Sequence, residues 1–149
     1  MFRGSSYHKI DSKGRIIIPT RFQVALKAGL NYGLMLSCLD GGLVAYPFDV
    51  WKKIEERIQS LEEISRAMRR FRRVFVGGAC ECALDAQNRI LVPQTLRDYA
   101  NLEKDIVLVG VLDHFEIWSN DKWKKENQML DEEDMQREEV IQDIAKLGL

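Results

Sequence analysis

The chain predicts an α+β fold in which two tandem copies of one small β-rich unit, each followed by a helical appendage, fold as one pseudo-symmetric body. The leading observation is an internal repeat. Asp11-Ser12-Lys13-Gly14-Arg15-Ile16-Ile17-Ile18-Pro19 returns 74 positions later as Asp85-Ala86-Gln87-Asn88-Arg89-Ile90-Leu91-Val92-Pro93. Further on, Leu39-Asp40 returns as Leu112-Asp113, and Leu43 to Tyr46 as Phe115 to Trp118. Asp49-Val50-Trp51-Lys52-Lys53 returns as Asp121-Lys122-Trp123-Lys124-Lys125. A turn, a strand, a proline and a Trp-Lys-Lys kept in one order mark a duplication. The second observation is length: 149 residues hold one ordinary domain or two small ones, and units this small need a shared core. Composition agrees, with 46% hydrophobic and 30% charged residues and few Gly or Pro, as in a folded globular protein.

Each copy reads as β-turn-β-α-β-β. A short strand (6–10; 79–84) enters an Asp-x-x-Gly/Asn turn, where the Asp side chain can bond the backbone two residues on. Gly14 and Asn88 hold matching positions, and these residue types best tolerate the left-handed backbone such a turn needs. On backbone preference alone, Asn is therefore better tolerated than Ala at position 14. The apolar runs 16–18 and 90–92 are β-formers that stop at Pro19 and Pro93, which have no N–H for a ladder. A short helix follows each proline, with Phe22, Ala25 and Leu26, then Leu96, Tyr99 and Ala100, at helical spacing, and with Gly29 and Asn101 as stops. A hairpin closes each copy: 34–39 and 43–46 across Asp40-Gly41-Gly42, then 106–112 and 115–118 across Asp113-His114.

Between the copies, Trp51, Ile54, Ile58 and Leu61 mark one amphipathic helix, and a second helical stretch spans 64–73. The tail, 123–147, reads as a matching helix with Leu130, Ile141 and Ile144 as its apolar residues. The expected division is 5–51 for the first unit, 52–78 for linking helices, 79–124 for the second unit and 125–149 for an acidic C-terminal helix. There is no run of about eighteen apolar residues, and no apolar stretch follows the N-terminal MFRGSSYHKID, so a cytoplasmic protein with no membrane partner is expected.

Net charge is −1, which by itself argues against a nucleic-acid partner; its distribution does not. In residues 1–27, Arg3, Lys9, Lys13, Arg15, Arg21 and Lys27 stand against Asp11 alone, a net +5. The segment RAMRRFRR (66–73) adds five arginines and no acid. Residues 126–149 carry eight acids against Arg137 and Lys146, a net −6, and mask both basic segments.

Asp-x-x-x-Arg across a tight turn aims a guanidinium: the carboxylate holds one edge and leaves the other for a phosphate or a guanine. An ordinary surface salt bridge is the alternative, but two such pairs, Asp11/Arg15 and Asp85/Arg89, next to a +5 segment favour DNA contact. Arg3, Lys9, Lys13 and Arg21 complete the candidate set. Gln87 replaces Lys13 in the second turn, so the first copy is the stronger contact. The arginines of 66–73 read first as a solvated helix face in which Glu62 supports Arg66 while Met68 and Phe71 pack inward, with a phosphate track as the alternative.

Catalysis has little support, because no Gly-rich phosphate loop, His-Glu-x-x-His or Ser/His/Asp set is present, and each turn carboxylate already has an arginine to keep it ionised. No cofactor and no small-molecule substrate are expected. Cys80 and Cys82 share one strand face, a spacing that can hold a metal, but only His8 and His114 are at hand to complete a site. Reduced thiols are the expected state and no metal is expected.

The segments MFRG, DSKGRIIIPTRF, GACECALDAQNRILVP and VGVLDHFEIWSNDKW resemble the MraZ family over nearly the whole chain. The resemblance implies two AbrB-like swapped-hairpin modules forming a pseudo-dimeric barrel. It also implies a cytoplasmic, nucleoid-associated transcription regulator that assembles into a ring-shaped homo-oligomer. Such a protein binds short direct repeats in double-stranded DNA upstream of its own division and cell-wall gene cluster. Within the family the Asp-x-x-x-Arg pairs are the DNA-contact motif, which here falls on Asp11, Arg15, Asp85 and Arg89. Asn88 departs from the glycine of the first copy. Two other readings stay open, an AbrB-like antitoxin whose tail wraps a toxin, against which the tail's few aromatics speak, and a structural ring without sequence-specific binding.

Overall fold

The computed structural model describes residues 1–27 and 33–149. The first copy comprises β1 (Ser5–Lys9), β2 (Arg15–Ile17), α1 (Thr20–Lys27), β3 (Leu34–Leu39) and β4 (Gly42–Pro47), and is followed by α2 (Phe48–Gln59) and α3 (Arg66–Gly77). The second comprises β5 (Cys80–Cys82), β6 (Arg89–Leu91), α4 (Gln94–Ala100), β7 (Asp105–Val111) and β8 (His114–Ser119). After it come α5 (Asn120–Glu132), a 3₁₀ turn at Asp134–Gln136 and α6 (Glu138–Ala145). Met1–Ser119 form one compact unit and Asn120–Leu149 a second. Pro19 and Pro93 each end a strand for want of an N–H and open a helix: their carbonyls accept from Phe22 and Gln23, and from Leu96 and Arg97. Asn101 stops α4 in the left-handed conformation at φ 54°. The matching stop expected at Gly29 lies outside the described residues.

Strand pairing exchanges the two copies. A six-stranded antiparallel sheet runs β1-β7-β8-β4-β3-β5, and β2 pairs with β6 in a separate two-stranded ribbon. Thus β1 of the first copy pairs with β7 of the second, and β5 of the second with β3 of the first. The registers match, since His8↔Ile106 in one ladder corresponds to Cys82↔Leu34 in the other. Where copies meet directly, repeat-equivalent residues face each other: Ile16↔Ile90 in the ribbon and Val44↔Glu116 between β4 and β8. A residue that pairs with its own repeat mate lies on a two-fold axis, so a pseudo-dyad passes through both places.

The strand exchange produces the shared core that chain length demanded. Ile16, Ile18, Phe22, Leu34, Leu36 and Leu43 from the first copy and Ile90, Val92, Ile106, Leu108, Phe115 and Ile117 from the second are fully buried in one cluster. Each such side chain stabilises the fold by roughly 1.5–3 kcal/mol. Phe22 packs on Phe115 with ring centroids 5.1 Å apart, and Phe2 on both at 5.4 and 5.5 Å. Phe2 is held there by exchanging backbone bonds with Leu112, while Gly110 admits the chain beside it: a Cβ at Gly110 would stand 2.3 Å from the Arg3 nitrogen. A second cluster lies under the linking helices, where Trp51 and Phe75 pack at 5.2 Å and Ser37 donates to the Phe75 carbonyl.

Four elements differ from the sequence reading. The first linking helix, α2, ends at Gln59 and leaves Leu61 beyond it and 46% exposed. The second hairpin turns at Leu112-Asp113, with Val111↔His114 as closing pair, one residue earlier than expected. It matches the first hairpin's Asp40-Gly41 turn, and Asp40 (φ 56°) and Leu112 (φ 67°) are structural equivalents. The Leu-Asp identity had suggested a register one residue out. In the linker, α3 begins at the N-cap Ser65, whose Oγ accepts from the Met68 N–H. Glu62 therefore precedes the helix and does not support Arg66 along it, and Met68, in the first turn, is 41% exposed, while Phe71 does pack inward. In the tail, the single helix is broken between α5 and α6. Asp131, Glu132, Glu133 and Asp134 crowd the carbonyl end of α5, where anions are unfavourable, whereas Glu138 and Glu139 stand in the first turn of α6, where they are favourable.

The β7–β8 turn carries a pH-sensitive cluster. His114 Nδ1 lies 2.8 Å from Asp113 Oδ1 and Nε2 3.4 Å from Glu116 Oε2, with its ring stacked on Tyr46 at 4.7 Å. Burial disfavours the imidazolium, but the hydrogen bonds and charges of Glu116 and Asp113 outweigh it and raise the His114 pKa above 6.5. The stabilisation is therefore full below the unfolded pKa and is lost as pH rises through the raised folded value. His8 shifts the other way, through burial and the charge of Arg21, and so acts below 6.5. The thermal midpoint should fall as pH is raised from about 6.5 to 8, and His114→Asn should flatten that slope; an unchanged slope in the variant would exclude His114 as its source.

Candidate nucleic-acid interface

The ribbon is longer than its regular strands. Ile18 N donates to Asn88 O at 3.0 Å and Val92 N to Gly14 O at 2.8 Å, so residues 14–18 run against 88–92. Side chains alternate across a strand. Ile16 and Ile90 point into the core, and residues 15, 17, 89 and 91 share the opposite, outer face. There Arg15 stands opposite Leu91 and Arg89 opposite Ile17, the two arginines being diagonal neighbours with Cα atoms about 7–8 Å apart. Ile17 and Leu91 are 56% and 58% exposed.

Each arginine is aimed by the turn before it. Asp11 Oδ1 accepts the backbone N–H of Lys13 at 3.0 Å and of Arg15 at 2.8 Å, and Oδ2 takes the Arg15 Nε–H at 2.6 Å. The second turn repeats this: Asp85 Oδ1 accepts from Gln87 N and Arg89 N, and Oδ2 from Arg89 Nε, all at 2.9 Å. The backbone N–H of Arg15 above all, then the Arg15 side chain and the Lys13 N–H, hold the Asp11 carboxyl below the usual carboxylate range; Arg89 and Gln87 do the same for Asp85. Both turns thus stay ionised through neutral and mildly acidic pH. The left-handed residues stand as expected, Gly14 at φ 88° and Asn88 at φ 59°.

The turns differ in what surrounds the guanidinium. The Arg89 Nη2 donates to Gln87 Oε1 at 3.1 Å, whereas among the described residues the Arg15 Nη groups have no partner. Lys9, at the end of β1 nearest the first turn, lies 3.9 Å from Asp105. Arg3 and Arg21 are placed elsewhere: the Arg21 Nε donates to the Arg3 carbonyl, its guanidinium lies 4.7 Å over the Phe22 ring, and the length of β1, about 16 Å, separates Arg3 from the turn. The site residues therefore form three groups: Lys9, Asp11, Lys13 and Arg15; Asp85 and Arg89 across the ribbon; and Arg3 with Arg21. The arginines of 66–73 lie exposed on α3, outside the ribbon.

Sequence reasoning missed one neighbour. Arg97, from α4 of the second copy, donates its Nε–H to Val92 O at 3.1 Å and fills the space over Gly14, where a Cβ would meet Arg97 Nε at 2.7 Å, Arg97 Cζ at 2.8 Å and Val92 O at 2.8 Å. Its repeat mate is Gln23, which donates to Ile18 O at 2.7 Å. A Gln-for-Arg difference between copies was visible, but nothing local tied position 97 to a turn 83 residues earlier. Room at position 14 thus matters as well as backbone preference. Gly14→Ala should lower stability by about 1–2 kcal/mol for the positive φ alone, and Gly14→Asn should gain its expected advantage only in an Arg97→Gln background, which copies the second turn. Thermal melts of the four variants check this; an Asn advantage independent of residue 97 would refute the steric part.

Among the described residues, no three His, Cys, Asp or Glu side chains converge as a metal site, and no helix is long and apolar enough to cross a membrane. Burial and the neighbouring Cys80 push the Cys82 thiol up to about 12.

Comparison with known proteins matches this duplicated architecture. The family described as "MraZ protein, putative antitoxin-like" matches residues 1–74 and again 75–143. The chain is 54% identical to a "Transcriptional regulator MraZ" of Desulforapulum autotrophicum and 50% identical to one of Desulfosudis oleivorans, each over all of both chains. It is 38% identical, again over the full length of both, to a protein of the same name from Caldicellulosiruptor saccharolyticus. These relatives are named as regulators and not as enzymes.

Proposed function

The chain belongs to the MraZ family, and from that premise we propose that it is a transcription regulator that binds double-stranded DNA through the outer face of the β2–β6 ribbon. The observation that carries this reading is the pair of arginines, Arg15 and Arg89, each fixed on one edge by the aspartate four residues earlier and presented on the same exposed ribbon face. Two-stranded ribbons fit the major groove, where a guanidinium can take guanine O6 and N7 and where apolar side chains such as Ile17 and Leu91 suit thymine methyl groups. Lys9, Lys13, Arg3 and Arg21 serve as phosphate contacts that set register and strength. Asp11 and Asp85 hold the arginines without touching DNA.

The finer parts of the reading follow the family. The two sheets wrap as one pseudo-symmetric, barrel-like body, with units at 5–51 and 79–124, linking helices at 52–78 and an acidic segment at 125–149. Copies assemble into a ring that meets short direct repeats upstream of the protein's own division and cell-wall gene cluster. The protein is cytoplasmic and associated with the nucleoid. A gel-shift titration of the full chain against the duplex upstream of its own gene, beside a scrambled duplex of equal composition, tests the core of this. Preferential binding that weakens steeply with salt is expected; equal binding to both duplexes would overturn sequence-specific regulation.

A further inference from the structure

We propose that Arg97 of the second copy is a DNA-contact residue of the first turn, so that the pseudo-symmetric ribbon has one strongly cationic end and reads its site with a polarity. This rests on the DNA-binding reading above and adds to it a residue from outside both Asp-x-x-x-Arg motifs.

The pseudo-dyad makes the comparison direct, because each turn packs against the helix start of the other copy. At the first turn that neighbour is Arg97, bonded to Val92 O; at the second it is Gln23, bonded to Ile18 O. The two bonds are equivalent by the repeat, and a neutral amide makes one of them at 2.7 Å. The structural duty at this position therefore does not need a charge, and the Arg97 guanidinium carries one in addition. Its Nη groups have no partner among the described residues, and the adjacent Asp98 is engaged by Gln94 at 2.7 Å. The side chain lies against Gly14, between Lys13 and Arg15 in sequence, and the missing side chain at position 14 is what admits it. At the other end, Asn88 occupies the matching position and Gln87 caps the Arg89 Nη2.

The cationic departures from the dyad gather at one end: in the repeat Lys13 corresponds to Gln87, Arg97 to Gln23 and Lys9 to Ala83. Asp105 offsets Lys9 there, which leaves Lys13 and Arg97 as the added charge. A reader with a perfect dyad suits a palindromic site; one with cations gathered at a single end binds a site in one orientation, which is what successive sites of the same direction require. The first turn is accordingly a composite of both copies, with Lys13 and Arg15 from one and Arg97 from the other.

The test compares full-length Arg97→Gln and Arg97→Lys with the wild type on the upstream duplex across a salt series, with phosphate ethylation interference and thermal melts on each. Gln preserves the bond to Val92 O as Gln23 does for Ile18, so Arg97→Gln should melt like the wild type. It should bind about tenfold more weakly, with the salt slope reduced by about one unit. Arg97→Lys should keep the slope. The interference signal lost in Arg97→Gln should lie beside the one lost in Arg15→Ala and away from that lost in Arg89→Ala. Unchanged affinity and slope in Arg97→Gln, equal losses in the Gln and Lys variants, or a lost contact on the Arg89 side would each overturn the inference while leaving the DNA-binding reading intact. Absence of preferential binding by the wild type would instead strike that reading.

Discussion

Arg15→Ala should weaken binding to the upstream duplex by about 1–3 kcal/mol for each engaged subunit, roughly a five- to 150-fold loss, with little change in folding. The asymmetry between function and stability follows from the turn. Asp11 would lose the bond from the Arg15 side chain, yet the backbone N–H groups of Lys13 and Arg15 would still hold Oδ1 at 3.0 and 2.8 Å, and the carboxylate is open enough to water to lose its ion-pair partner cheaply. The ladder on either side, with Ile16 sealed in the core, does not involve the guanidinium. Arg89→Ala should be milder, because the Arg89 Nη2 is already engaged by Gln87 and its turn lacks both Lys13 and Arg97. Gel-shift titration beside a thermal melt measures both quantities. Normal binding by a folded Arg15→Ala protein would remove the turn from the interface.

The turn geometry of the candidate site was more legible in the sequence than the topology around it. Asp-x-x-x-Arg, the residue at 14 or 88 and the terminal proline are local, and local chemistry fixes their geometry: an Asx-type turn, a positive φ and an unpaired ladder position each follow from one side chain. Strand exchange does not follow from anything local. Nothing in Ser5–Lys9 announces that it pairs with β7 rather than with its own β3, since both are apolar on the side it would cover; the family resemblance alone implies swapped modules, and the β1–β7 and β3–β5 ladders show the exchange. The slip at the second hairpin has a related cause. Leu112-Asp113 looks like Leu39-Asp40, but the turn geometry equates Leu112 with Asp40, a leucine held at positive φ while it exchanges backbone bonds with Phe2. Local propensity forbids what that long-range bridge enforces. Arg97 was illegible for the same reason, being brought to the first turn by the pseudo-dyad and not by the chain.

On the proposed binding of a ring to direct repeats, shifting one of two such repeats by about five base pairs, half a helical turn, should reduce affinity by about 10²–10⁴. A single chain offers few cations to DNA: Arg15, Lys13 and Arg97 at the first turn with Lys9 beside them, Arg89 across the ribbon, and Arg3 and Arg21 beyond the far end of β1. A handful of phosphate contacts supports a dissociation constant of only about 10⁻⁴–10⁻⁶ M at physiological salt. Sequence-specific regulation needs more, and linking several weak binding events supplies it without any new contact. If copies stand side by side in a ring, each presenting its first turn in the same sense, repeats spaced near one turn of the duplex, about 10–10.5 base pairs, meet every copy on one face. The measurement is a titration of in-phase and half-turn-shifted duplexes at several salt concentrations. Avidity predicts that the two curves converge when the protein is diluted below the range in which it assembles. Equal affinity for both duplexes at concentrations where the protein is shown to be oligomeric would show that each chain binds alone, and the specificity would then have to lie wholly in the contacts of Arg15, Arg89 and their neighbours.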